Sequence, residues 1–436
     1  MPSNISITAA TVEPALLDLP WQLPLEEWPS EYIAALPKGL SRHVVRFVHL
    51  GEHVIAVKET LVELAQREYD MLKRLEKLDI PCVEPFAVVD GRADANGNPL
   101  PAALVTRHLK FSLPYRAMWS QGLRAQTATR LVDALALLLV RLHLAGFFWG
   151  DVSLSNTLFR RDAGKFAAYL VDAETGSLYD ARLSDGQRQN DLEIARVNIA
   201  GELMDLVASG KSAPDVDPME ISARIVSKYH ELWHELTDIE EFPASERWRI
   251  HGRVQRLNDL GFDIEEFSIR TAIEGDKVRI QPKVVDAGHH ARRMLLLTGL
   301  DVEENQARRL LNDIDGYRVA QKDSNLDEEG LAHKWLSEVY EPVIGAIPST
   351  LRGKLEPAQI FHEVLEHRWY ISEQQNREVP LQEALNSYVS NVLVNRRDEE
   401  ALISTTTETI ALPDPVPTGT IVVADDDELG DWRDKV

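Results

Sequence analysis

Hydrophobic positions in the first part of the chain alternate, then settle into helical spacing, and this order divides the chain. Residues 44–48 (Val-Val-Arg-Phe-Val) and 54–58 (Val-Ile-Ala-Val-Lys) flank Gly51-Glu52 and predict two strands joined by a turn. Leu61, Leu64, Met71, Leu72, Leu75 and Leu78 recur at helical intervals among charged residues, and Pro81 and Pro85 close that run. Residues 86–89 and 102–106 bracket the turn-rich Asn96-Gly97-Asn98-Pro99 and predict another strand pair. A long apolar helix is expected over 126–145, stopped by Gly146. A short strand over 168–171 and helices over 191–208 and 219–236 follow.

A second unit begins near Ser245. Its runs 267–273 and 277–281, joined by Glu274-Gly275-Asp276, predict a hairpin, and helical spacing continues to about residue 395. The division is an N-terminal extension (1–40) with Trp21, Trp28 and Tyr32 as anchors, a first domain (41–240), a mostly helical second domain (245–395) and a tail (411–436). Pro413, Pro415, Pro417 and the run Asp425-Asp426-Asp427-Glu428 predict disorder in that tail. The fold class expected is α+β: strands first, helices after, then a helical domain carrying a β-hairpin.

Charge narrows the choice of partners. Against 47 Lys and Arg stand 70 Asp and Glu, a formal net charge of -23. Such a surface repels phosphate backbones and anionic headgroups, so bulk nucleic-acid binding is not expected. The most apolar stretch, 131–144, is interrupted by Asp133, Arg141 and His143 and is too short to span a bilayer. The first basic residue is Lys38, so neither a secretory nor a transit signal is expected. Cys82 is the single cysteine, which excludes an intrachain disulfide and fits a reducing cytoplasm.

Candidate chemistry concentrates in the first domain. Asp151 lies just beyond the long apolar helix, Asn156 follows five residues later, and the short strand delivers Asp172 at its end. Phosphoryl transfer needs a carboxylate to orient and deprotonate the attacking hydroxyl, and oxygen ligands for Mg²⁺. An Asp–x4–Asn loop followed by an Asp at a strand end supplies such groups. Upstream, Lys58 ends an apolar strand, and Glu68 sits on the following amphipathic helix. A strand lysine held by a helix glutamate aims an ammonium at nucleotide phosphates. The bland readings are that Asp151 and Asn156 are loop residues capping backbone N–H groups, and that Lys58–Glu68 is a surface ion pair worth ~0–1 kcal/mol.

Ala65-Gln66-Arg67-Glu68-Tyr69-Asp70-Met71-Leu72-Lys73-Arg74-Leu75, followed by Ile80-Pro81, resembles helix C of the atypical RIO-type and lipopolysaccharide-kinase-type enzymes. Trp149-Gly150-Asp151-Val152-Ser153 resembles their His-Gly-Asp-hydrophobic-Ser loop. The whole chain also resembles an uncharacterised bacterial family that joins such a region to a second domain of unknown function. The resemblance implies a two-lobed protein-kinase-like fold over roughly 40–240, with Mg²⁺ and ATP as cofactors and a hydroxyl-bearing acceptor. It implies that Lys58 contacts phosphate, Glu68 pairs with it, Asp151 is the catalytic base, and Asn156 and Asp172 bind metal. The sequence departs from the pattern in three places. No Gly-x-Gly-x-x-Gly precedes Lys58, which leaves 39–42 and Gly51 as candidates for a phosphate-covering loop. Trp149 stands where the family has His, and Asp172-Ala173-Glu174 replaces Asp-Phe-Gly. A nucleotide-binding pseudokinase is therefore the alternative.

Other motifs compete. His230-Glu231-Leu232-Trp233-His234 matches a zinc-hydrolase pattern, with Glu240, Glu241 and Glu246 as candidate third ligands. The apolar residues around it point instead to helix packing. Gly210-Lys211-Ser212 lacks the strand and the earlier glycine of a phosphate loop. His289-His290-Ala291-Arg292-Arg293 and Arg308-Arg309 form basic clusters that could grip an anion or simply face solvent. Asp191 is placed to open a helix as its N-cap or to brace the Asp151 loop.

Overall fold

The computed structural model describes residues 5–9, 11, 13–34, 44–51, 53–115, 125–180, 182–210, 216–246, 248–271, 277–320, 326–396 and 398–399. The 39–42 phosphate-covering segment, Lys211 and Ser212, the Glu274-Gly275-Asp276 turn and the 411–436 tail lie outside these residues.

Alternating apolar runs build an antiparallel five-stranded sheet. Its strands are β1 (Ser6–Ala9), β2 (Val45–Leu50), β3 (His53–Thr60), β4 (Pro85–Asp90) and β5 (Ala102–Arg107), in the order β1-β4-β5-β3-β2. Lys58 pairs with Val45 on one side and Leu104 on the other, so the lysine rises from an interior strand of the sheet. The Val62–Glu76 helix follows β3 directly and lays Ala65, Tyr69, Leu72 and Leu75 inward. The extension does more than pack on this lobe: Ser6–Ala9 adds an edge strand against β4. Trp21 and Trp28 meet edge to face, with ring centroids 5.1 Å apart, over a core that includes Ile55, Val57 and Val105.

Arg92 ties this wrapping together. Its fully buried guanidinium donates to the Trp21, Leu23 and Pro101 carbonyls and pairs with Glu59 Oε1 at 2.8 Å. Glu59 also accepts the Leu25 N–H at 2.9 Å. A buried charge is tolerated when its donors are filled in this way.

The Ala125–Leu144 helix is the axis of the second lobe, with eleven buried side chains that make it apolar almost all round. The Asp185–Ala208 and Pro218–Thr237 helices pack near it. The first of these begins six residues earlier than the spacing predicts, because Ser184 and Gln187 form a reciprocal capping box. Asp191 therefore lies inside the helix and is not its N-cap.

A hairpin of Thr157–Asp162 and Lys165–Leu170 stands against the axial helix. Only its second strand was legible. The first carries Arg160 and Arg161, whose charges hide the strand pattern. The Leu170 N–H donates to the Pro81 carbonyl and the Val83 N–H to the Leu170 carbonyl, which joins the hairpin to the segment after the Val62–Glu76 helix.

In the second unit, Glu240–Pro243, Phe262–Thr271 and Lys277–Ala287 form a three-stranded sheet, longer than the predicted hairpin. The Glu304–Ala320, Glu328–Trp335, Pro357–Gln375 and Leu381–Asn391 helices enclose a separate core around Trp335, Tyr340 and Phe361. Among the described residues, no helix is long and apolar enough to cross a membrane.

Replacing Arg92 by Met strands Glu59 and three buried carbonyls. The expected cost is about 3–5 kcal/mol, read as a lower denaturation midpoint with an unchanged slope.

Candidate functional site

Lys58 meets three carboxylates at once. Its Nζ lies 2.9 Å from Glu68 Oε2, 2.9 Å from Asp172 Oδ2 and 3.2 Å from Glu174 Oε2. The pair with Glu68 is not a surface contact, since the two side chains are only 12% and 2% exposed. Burial by itself would lower the Lys58 pKa, but Glu68 and Asp172 outweigh it and hold the ammonium above its ordinary value. Glu68 is pushed up to about 7, by burial first and the neighbouring Asp172 second, against the pull of Lys58.

Asp172 is fixed from several sides. Its Oδ1 accepts the Glu174 N–H at 2.9 Å. Its carbonyl accepts the Trp149 indole N–H at 2.8 Å. Trp149 thereby supplies a ring N–H that ties the Asp151 loop to Asp172, a bond an imidazole can also make. The Trp149 carbonyl in turn accepts the Thr175 hydroxyl at 2.8 Å.

Asp151 and Asn156 bond directly. Asn156 Nδ2 donates to Asp151 Oδ2 and to the Asp151 carbonyl, both at 3.0 Å. Asn198, on the Asp185–Ala208 helix, reaches Asp151 Oδ1 at 3.4 Å and the Val152 carbonyl at 3.1 Å. The Val171 N–H donates to the Asn156 carbonyl at 3.0 Å, so Asn156 and Asp172 lie at the same end of the hairpin. The five residues singled out in the sequence thus form two bonded groups, Lys58–Glu68–Asp172 and Asp151–Asn156, linked through Trp149 and the hairpin. Gly150 between them has φ +78°, and a Cβ there would sit 3.2 Å from the Phe148 ring; both facts favour glycine.

The loop rests on two carboxylates of one helix. Asp191, fully buried, accepts the Trp149 and Gly150 N–H groups at 2.7 and 2.8 Å and contacts His143 Nε2 at 3.1 Å. Because a carboxylate only accepts, His143 carries its proton on Nε2 and takes the Tyr229 hydroxyl at Nδ1, 2.8 Å away. Burial keeps the imidazole pKa low and the ring neutral. Glu202 accepts the Leu154 and Ser155 N–H groups at 2.9 Å each, and the Ser155 hydroxyl. Glu174, Asn198 and Glu202 escaped the sequence reading. Glu174 had the signal of lying two residues beyond Asp172. The helix residues had none, since only folding brings them beneath the loop.

Among the described residues, the His, Cys, Asp and Glu side chains grouped closely enough to share a metal are Glu68, Asp172 and Glu174. Oxygen donors of this kind suit a hard divalent cation. The His230 and His234 rings are 6.1 Å apart, and His234 pairs with Asp238 at 2.9 Å while Glu231 pairs with Lys228 at 2.7 Å. No third ligand joins them among the described residues. The basic clusters of the second unit are also engaged: His290 with Glu304 at 2.6 Å, Arg293 with Glu328, and Arg308 with Asp259 at 2.5 Å.

Asp191→Ala would leave two loop N–H groups and a buried histidine without their acceptor. The expected loss is about 3–5 kcal/mol, measured by chemical unfolding, whereas Glu193→Ala on the exposed face of the same helix leaves the unfolding midpoint essentially unchanged.

Two regions of the chain match known families. Residues 56–200 match the lipopolysaccharide kinase (Kdo/WaaP) family, and residues 231–393 match a domain of unknown function, DUF4032. No curated protein matches the chain. A solved structure described as WaaP in complex with acyl carrier protein is similar over 58% of this chain and 99% of its own, at 15% identity and a TM-score of 0.34. The chain thus joins a kinase-like region, similar to the lipopolysaccharide kinase (Kdo/WaaP) family, to a region similar to DUF4032.

Proposed function

We propose that the first domain binds Mg²⁺–ATP between its strand-rich and helical lobes and transfers the γ-phosphoryl group to a hydroxyl. The observation that carries this reading is the position of Lys58, an ammonium of the sheet held against carboxylates of both a helix and the hairpin. One ammonium facing three carboxylates leaves the centre net negative when all are ionised, so a bare polyphosphate is repelled there. A divalent cation accompanying the nucleotide removes that repulsion. Asp172, Glu174 and the amide oxygen of Asn156 are the groups to hold it, because the Asn156 amide nitrogen is already spent on Asp151. The ion would supply charge neutralisation at the phosphates.

Asp151 accepts the proton of the acceptor hydroxyl. The oxygen then bonds to the γ-phosphorus as the bond to the bridging oxygen breaks, and ADP leaves. Asn156 and Asn198 orient the Asp151 carboxylate, while Lys58, aimed by Glu68, meets phosphate oxygens. The acceptor class is a hydroxyl of a sugar, another small molecule or a protein side chain. A cytoplasmic setting, where ATP is abundant, fits the reaction.

Binding and turnover with Mg²⁺–ATP test the proposal. Asp151→Ala is expected to retain nucleotide and lose about 10²–10⁴ in turnover. Asp172→Ala is expected to lose Mg²⁺-dependent binding. Nucleotide binding without turnover in the wild type would leave a pseudokinase module, and no binding in any form would sink both readings.

Acidification supplies a separate check. Glu68 loses its charge as pH falls through about 7 and can then no longer aim Lys58 as an ion pair. Mg²⁺–ATP affinity is therefore expected to weaken between pH 8 and pH 6, and Glu68→Gln is expected to be weak at both and flat between them. Calorimetric titration at the two values reads this directly.

A further inference from the structure

The hairpin that ends in Asn156 and Asp172 has its opposite end embedded in the second domain. Asp162, buried at the tip, accepts the Gln306 backbone N–H at 2.8 Å and the Asn305 side-chain amide at 2.6 Å. It therefore satisfies the first turn of the Glu304–Ala320 helix from another domain, where a helix ordinarily uses a residue next to it in sequence. Gln306 Nε2 donates to the Arg161 carbonyl at 3.0 Å, and Gln359 Oε1 accepts the Ala163 N–H at 3.1 Å. Arg160 pairs with Glu303 at 2.9 Å and with Glu356, and the Tyr169 hydroxyl donates to Glu303 at 2.6 Å. Gln306 and Gln359 are buried, as are Asp162 and Glu303.

We propose that the second domain is a brace for the metal–nucleotide centre, and that Asp162 is the positioning residue through which it acts. The hairpin is the mechanical link. Six register pairs, from Thr157↔Leu170 to Asp162↔Lys165, join tip to base, a ladder of about 20 Å at strand rise. Asn156 stands immediately beyond its base pair and Asp172 two residues beyond it. A ladder of this length moves as one piece, so a tip released from its buried partners lets the base shift against Lys58. A self-contained second domain would cap its own helix. Here the cap is the carboxylate of the strand pair that positions the site. The inference rests on the proposed function for its nucleotide half only.

The test uses the full chain and two readouts, amide hydrogen exchange and calorimetric Mg²⁺–ATP affinity, in Asp162→Ala and Asp162→Asn. In Asp162→Ala, exchange across 156–172 is expected to speed up about tenfold or more while the 45–60 strand pair is unchanged, and the dissociation constant is expected to rise about tenfold (~1.4 kcal/mol). Asp162→Asn keeps an oxygen acceptor and is expected to recover most of both. Unchanged exchange across 156–172 in folded Asp162→Ala overturns the brace. Faster exchange with unchanged affinity makes the contact structural only and also overturns the positioning role. Should Asp162→Ala fail to fold, Tyr169→Phe, which removes one hydroxyl from Glu303, is judged by the same two criteria. If wild type binds no nucleotide, the proposed function fails while the exchange arm still decides whether the brace exists.

Discussion

One ammonium group organises this protein. Lys58 stands on an interior strand of the N-terminal sheet, yet its partners come from a helix and from the segment that follows the hairpin. The contact holds because the charges are complementary and largely withdrawn from water, where a salt bridge is stronger and also costlier to break. It ties the strand-rich lobe to Asp172 and Glu174, just beyond the hairpin. The tension in the site follows from the same contact: three carboxylates share one cation, and burial pushes Glu68 towards its neutral form.

Beneath the Asp151 loop a different economy applies. The loop is irregular, so its N–H groups have no ladder to join, and buried N–H groups left open are costly. Asp191 and Glu202 close four of them from a single helix. The neutral His143, supported by Tyr229, holds Asp191 in turn. Capping of loop N–H groups is thus the work of Asp191 and Glu202, which lie on the helix beneath the loop. Asp151 differs, because its carboxylate is bonded by amide side chains, Asn156 and Asn198, which also donate to the Asp151 and Val152 carbonyls.

The second domain has its own core around Trp335 and Phe361, but its polar contacts with the hairpin are buried and specific. Polar groups placed this way tolerate few alternative registers, since each misplaced partner leaves an unsatisfied atom in the interior. That property makes the contact a positioning device more than a source of stability.

Local pattern alone determined a good deal. The strand–turn–strand that ends near Lys58, the amphipathic helix with Glu68, and the apolar axial helix with its stop at Gly146 were all readable. Each is set by side-chain periodicity and by residues that restrict the backbone. The order Lys58, Glu68, Asp151, Asn156, Asp172 was equally visible. Tertiary structure decided the rest. The Thr157–Asp162 strand was masked by two arginines whose partners, Glu303, Glu356 and Glu399, lie far along the chain. Asp191 looked like a helix start because a cap and a buried acceptor are the same residue type in sequence, and only Ser184 in place settles which it is. Glu174, Asn198 and Glu202 acquire meaning through distances, and burial and charge pairing depend on neighbours that no local window contains.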